Sequence, residues 1–131
     1  MIYGIGNDIT RVDRMQLALQ RSGPRFAEKI LGTQEWQIYQ QRAAQSELRA
    51  MHYLATRFAA KEAFGKAIGT GVRLPMTLKN LQTLNDAQGK PVLHYSDTLA
   101  SWMQTQRLKA HVSLSDEKEY ALAFVVVEAE R

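Results

Sequence analysis

No cysteine occurs in these 131 residues. That excludes a disulfide framework and any thiolate nucleophile or metal ligand. No apolar run approaches the roughly 20 residues that a membrane-spanning helix needs. The opening, Met1-Ile2-Tyr3-Gly4-Ile5-Gly6, has neither the basic start nor the long apolar middle of a secretory signal, so a cytoplasmic address is expected. Internal repeats, low-complexity tracts and blocks of lysine or arginine resembling a nucleic-acid tail are missing too. The histidines are too scattered for a zinc-type ligand spacing, and His52 and His94 carry no signal at all.

What is there suits one globular domain spanning residues 1–131, at 45% hydrophobic and 23% charged residues. A formal charge of +4 fits an anionic partner: nucleic acid, an acidic protein or a phosphorylated small molecule. Residues 2–9 read as a strand, with Ile2, Gly4, Gly6 and Asp8 on one face and Tyr3, Ile5, Asn7 and Ile9 on the other. Thr10 with Asp13 resembles a capping box opening a helix over 11–21. Ser22-Gly23-Pro24 ends it, and Pro24 starts a short helix running through Ile30. Residues 33–44 are helical in pattern, and 42–49 are polar enough for a turn or a fraying end. A long helix is expected over 48–68, stopped by Gly69 and Gly71. Strands at 78–85 and 91–95, a helix at 98–107 and a hairpin of 111–115 with 120–128 complete an α+β domain. Its sheet is largely antiparallel and packs on the one long helix.

The segment GIGND is not a dinucleotide fingerprint, because Ile9 occupies the third glycine's place and no strand–turn–helix follows. Gly4 and Gly6 instead strip one strand face and leave Asp8 at its end. A bare face admits a close neighbour, either backbone or ligand. The plainer reading is that the glycines accommodate helix packing and Asp8 caps the next helix.

In RFAAKEAFGKAIGTG, residues 57–71, Glu62 and Lys66 lie about 40° apart on the long helix. Ala55 and Ala59 flank them, while Arg57 and Lys61 form a separate stripe. An i,i+4 pair on a solvated face contributes about 0.2–0.5 kcal/mol, but a solvated face fits this alanine-rich setting poorly. A carboxylate on a mostly buried helix needs a partner, and a metal ion or a charged ligand would serve. Asp8 and Glu62 together make a sparse oxygen site of the kind magnesium uses when phosphates supply its other ligands. Lys66, Lys61 and Arg57 then have phosphates to neutralise, and the Gly69-Thr70-Gly71 turn has backbone amides to offer. His111, Ser113 and Ser115 alternate with Val112 and Leu114, giving a polar strip suited to a phosphate pocket or simply to solvent.

The stretches MIYGIGNDITRVDR, FAEKIL, RFAAKEAFGKAIGTG, GKP and HVSLS, in this order, closely resemble the holo-[acyl-carrier-protein] synthases. These are small single-domain phosphopantetheinyl transferases, and the likeness runs from Met1 to Glu128. It implies the 4′-phosphopantetheinyl transferase fold. It also implies transfer of the 4′-phosphopantetheine arm of coenzyme A to a serine of apo acyl carrier protein, in support of fatty acid biosynthesis. Adenosine 3′,5′-bisphosphate is the other product. The family's magnesium ligands fall on Asp8 and Glu62, and its catalytic lysine on Lys66, beside the pyrophosphate. Arg57, Gly69, Pro91, His111 and Ser113 fall where relatives line the coenzyme pocket. Asn7 and residues 40–49 match no pattern of the family.

The acceptor serine must also lose a proton, to Glu62, to a metal-held water or to a carboxylate of the carrier. The family forms homotrimers with active sites between subunits. Its carrier substrates are acidic helical bundles, so Arg14 and Arg21, one face of the first helix, with Arg25 and Lys29 beyond the Gly23-Pro24 break, form a candidate docking stripe. A solvated helix face is the plainer alternative for these four. A nucleic-acid-binding domain would account for the charge but not for the alanine-framed Glu62. A purely structural subunit would leave the buried charges unexplained. Neither nucleic acid nor membrane is an expected partner.

Overall fold

The computed structural model describes residues 1–130. In chain order it contains β1 (Ile2–Arg11), α1 (Val12–Ser22), α2 (Arg25–Ile30), α3 (Thr33–Gln45) and α4 (Glu47–Ile68). Then come β2 (Leu81–Asn85), β3 (Pro91–Tyr95), α5 (Asp97–Gln106), β4 (Leu108–Asp116) and β5 (Tyr120–Ala129). No described helix is long and apolar enough to cross a membrane.

Helix α4 is the axis of the molecule. The Ser46 side chain caps its start by accepting from the Arg49 amide at 3.3 Å, and Gly69 ends it in the left-handed region at φ 86°. Between these ends it is buried on almost all sides, as an alanine-rich helix without a polar face must be. Its first half, Ala50 to Ala55, packs with Val12, Met15, Ala27, Ile30 and Tyr39 of α1 to α3 and with Leu31 in the link between α2 and α3. Its second half, Ala59 to Ile68, packs with Leu81, Leu93, Leu99, Val125 and Val127.

Every strand pairing is antiparallel, but the strands form two sheets, not one: β1-β5-β4 and the separate hairpin β2-β3. In β1 the pleat turns Gly6 and Thr10 inward and leaves Ile5, Asn7 and Ile9 exposed. A Cβ on Gly4 would stand 1.9 Å from the Ala67 carbonyl oxygen, and one on Gly6 would stand 2.1 Å from that of Ala63. The glycines therefore exist to let β1 lie directly on the backbone of α4. The buried alanines of α4 serve the same approach. They are buried in the packing, so they leave no open space for a ligand beside Glu62 and Lys66.

Some boundaries differ from expectation, each for a local reason. The strand β1 continues through Arg11, and α1 starts on an Arg11 N-cap that makes no side-chain bond, so Thr10 and Asp13 form no capping box. Helix α3 persists to Gln45, and the polar stretch after Gln40 is ordered helix broken only at Ser46. Strand β2 begins at Leu81, because Asn80 and Thr77 close residues 77–80 into a turn by exchanging side-chain bonds with each other's amides, at 2.9 and 3.1 Å.

Candidate active site

Asp8, Glu62 and Lys66 come together where β1 crosses the last turns of α4. Lys66 Nζ donates to the Asn7 carbonyl at 2.9 Å and reaches Asp8 Oδ1 at 3.3 Å. Asp8 Oδ2 accepts a hydrogen bond from the Thr10 hydroxyl at 2.8 Å. Burial raises the Glu62 pKa, the nearby Asp8 carboxylate raises it further, and Lys66 only partly offsets both. Two carboxylates that feel each other's charge, with one lysine between them, are short of positive charge. A divalent cation with oxygen preference fits that donor set. Among the described residues no third acidic or histidine side chain joins them, which suits a cation that takes its remaining ligands from water and phosphate.

The other basic residues of α4 are placed differently. Lys61 is 1% exposed and donates to Glu35 Oε1 at 2.7 Å, with further bonds to the Leu78 and Leu81 carbonyls. Its partner Glu35, fully buried, also accepts from the amides of Gly32 and Thr83. Arg57, 6% exposed, lies 4.2 Å over the Tyr53 ring and donates to the Thr83 carbonyl and the Thr56 hydroxyl. Lys61 ties α4 to α3 and β2, and Arg57 ties it to β2, so the expectation that they neutralise phosphates is corrected: both charged groups are held inside the fold. In the Gly69-Thr70-Gly71 turn the amides of Gly69 and Gly71 both donate to the Gly65 carbonyl, so the expectation of outward amides is corrected for these two.

The remaining coenzyme-pocket candidates fall into two groups. Ser113 shares a groove of about 400 Å³ with Asn7, Asp8, Ile9, Ser115, Leu122 and Phe124. Pro91 and His111 share another, of about 260 Å³, with Lys90 and Lys109 between β3 and β4. His111 Nε2 lies 2.6 Å from Glu128 Oε2, and this contact holds the Glu128 carboxyl below its ordinary range.

On α1 and α2, Arg14, Arg21, Arg25 and Lys29 are all exposed. Among the described residues none of them pairs with a carboxylate. Arg14 and Arg21 flank a groove of about 360 Å³ floored by Met15, Leu17, Ala18, Phe26 and Phe58. Sequence reasoning found the charges and missed this apolar floor, because Leu17, Phe26 and Phe58 sit on three different helices. It also missed Thr10 and Glu35, since nothing in their spacing announces their partners.

Residues 4–125 match the 4′-phosphopantetheinyl transferase superfamily. A holo-[acyl-carrier-protein] synthase of Methylibium petroleiphilum is 52% identical over 130 residues, covering 99% of this chain and 98% of that protein. Its counterpart in Ralstonia nicotianae is 52% identical over 97% of this chain and 92% of its own length. In three dimensions the crystal structure of the Neisseria meningitidis holo-[acyl-carrier-protein] synthase matches with a TM-score of 0.89 at 41% identity, over 98% of this chain and 99% of that one. The Bacillus anthracis synthase, solved in complex with CoA (3′,5′-ADP), matches with a TM-score of 0.82 at 35% identity over 99% of both chains. The chain belongs to the 4′-phosphopantetheinyl transferase superfamily, as a member of its holo-[acyl-carrier-protein] synthase family.

Proposed function

We propose that this protein, acting as one domain over residues 1–131, transfers 4′-phosphopantetheine from coenzyme A to a serine of an acyl carrier protein. Cytoplasmic fatty acid biosynthesis is the process it would serve. The observation that carries this reading is the meeting of Asp8 with Glu62 and Lys66, made by a strand that two glycines press onto α4. In the reaction the serine oxygen forms a bond to the phosphorus bearing the pantetheine arm. The bond from that phosphorus to the bridging oxygen breaks, adenosine 3′,5′-bisphosphate departs, and the serine proton passes to a base. Asp8 and Glu62 would hold magnesium, which when bound supplies Lewis-acid stabilisation of charge on the phosphate oxygens. Lys66, about half exposed at 53% and flexible on its stem, can turn from Asp8 to a phosphate oxygen and offset its charge.

Two features support a homotrimer with the site shared between copies. The outer face of the three-stranded sheet leaves Ile5, Ile9, Leu122 and Phe124 between 41% and 59% exposed, an apolar face that a second copy would cover. The groove at Asp8 and the groove at Pro91 and His111 are separate in one chain, and a neighbour's groove placed against Asp8 would unite them. The number three comes from the family resemblance, and sedimentation equilibrium of the full chain reads it directly. Arg14, Arg21, Arg25 and Lys29, around the apolar groove on α1, are proposed to receive the acidic carrier.

The test is Asp8→Ala and Glu62→Gln, assayed over a magnesium titration with circular dichroism as the control for folding. Both variants are expected to lose transfer at every magnesium concentration while keeping the fold. Near-normal turnover by either folded variant at low magnesium would defeat the assignment.

A further inference from the structure

The hydroxyl of Thr10 has no part in starting α1. The helix is capped by Arg11 without any side-chain bond, and Thr10 is 2% exposed, with its side chain turned inward beneath the sheet. Its hydroxyl donates to Asp8 Oδ2 at 2.8 Å, along the same face of the same strand. Asp8 Oδ1, the other oxygen, is the one that meets Lys66. One carboxylate oxygen is therefore held by a buried donor and the other by the half-exposed Lys66.

We infer that Thr10 is a positioning residue for the metal site: its hydroxyl fixes the Asp8 carboxylate so that Oδ1 is presented to the cation. The inference rests on the reading of Asp8 and Glu62 as magnesium ligands. A β-branched side chain in a strand has a restricted χ1, so the hydroxyl keeps its direction when Lys66 leaves Asp8 for a phosphate. Without it Asp8 has one remaining side-chain partner, a flexible lysine of the same sign as the metal. Groups that orient a ligand from behind typically govern metal affinity by about 10–100-fold. The plainer view is that Asp8 merely satisfies a buried hydroxyl that happens to be there. The two views differ in what valine should do, since it keeps the shape and deletes the donor.

Manganese serves as the probe, because free manganese is counted directly by its electron paramagnetic resonance signal. It is titrated into the full-length protein with saturating coenzyme A and no carrier, for wild type, Thr10→Val, Thr10→Ser and Asp8→Asn. Thr10→Val is expected to raise the manganese Kd by about 10–100-fold, while Thr10→Ser, which keeps the donor without the β-branch, falls between wild type and Thr10→Val. In steady state Thr10→Val should raise the KM for magnesium, with kcat largely recovered at saturation. Thermal unfolding checks the fold, and Thr10→Ala replaces the valine variant if that one does not fold. Wild-type manganese affinity in folded Thr10→Val, with Asp8→Asn impaired, would overturn the role of Thr10 and leave the metal site standing. Wild-type affinity in Asp8→Asn would overturn the metal reading itself and Thr10 with it.

Discussion

Lys66 and Glu62 are one turn apart on α4 but do different work. Lys66 rests on two acceptors of β1, the Asn7 carbonyl and Asp8 Oδ1. Neither bond is needed to hold the fold, because the side chain is exposed and the strand is fixed by pairing with β5. Replacing a donor aimed at developing phosphate charge typically costs about 10²–10³ in kcat. Lys66→Met is therefore expected to fall in that range with its melting temperature little changed; stopped assays with a fold within a few degrees of wild type would agree, and near-normal kcat would not. Glu62 behaves in the opposite sense toward stability. Its folded pKa lies above its unfolded value, so the native chain holds that proton more tightly, and ionisation weakens the metal-free fold as pH rises through the carboxyl range. Glu62→Gln should thus be at least as stable as wild type at neutral pH, which makes it a clean probe of the site.

At the scale of elements, α4 is held from two sides by different means. Gly4 and Gly6 give contact without side chains on one side, and on the other the buried Lys61–Glu35 pair spans α4, α3 and β2. Removing one partner of such a pair strands the other charge and costs about 3–5 kcal/mol. Lys61→Met should lose that much in denaturant titrations. The double variant Lys61→Met with Glu35→Gln should recover a good part, since no charge is left buried alone. Equal losses in the two would contradict the pairing. Helix α4 was readable in advance because an alanine-rich run ending at a glycine has few other solutions. The strand faces of β1 were readable for a similar reason, since two glycines and an aspartate at period two mark one side. Glu35 was not: it sits in a polar helix 26 residues from Lys61, and only the tertiary fold makes it the counter-charge. Nor was Thr10, which as a residue after a strand and three before an acid-bearing turn looked like a cap until β1 ran past it.

For the whole molecule, the same sequence patterns had a different fate at each face. Arg14 and Arg21 were visible as a shared helix face, and the fold adds the apolar floor between them, of Met15, Leu17, Ala18, Phe26 and Phe58. Charge at a rim with an apolar centre is the usual anatomy of a protein-docking surface. Arg14→Glu or Arg21→Glu should raise the KM for carrier protein by about tenfold at low salt, leave that for coenzyme A unchanged, and matter less as salt increases. Unchanged carrier kinetics at low ionic strength would make these residues plain solvated surface. The proposed docking surface and the proposed metal site both rest on one claim, that the chain moves phosphopantetheine onto a carrier serine. Mass spectrometry of an acidic apo carrier protein, incubated with this protein, coenzyme A and magnesium, tests that claim most directly. The account predicts a carrier heavier by one phosphopantetheine arm, located on a serine, with adenosine 3′,5′-bisphosphate released in equal amount, and a carrier of unmodified mass when magnesium is removed by chelation. A carrier of unchanged mass with magnesium present, or equal modification after chelation, would contradict it.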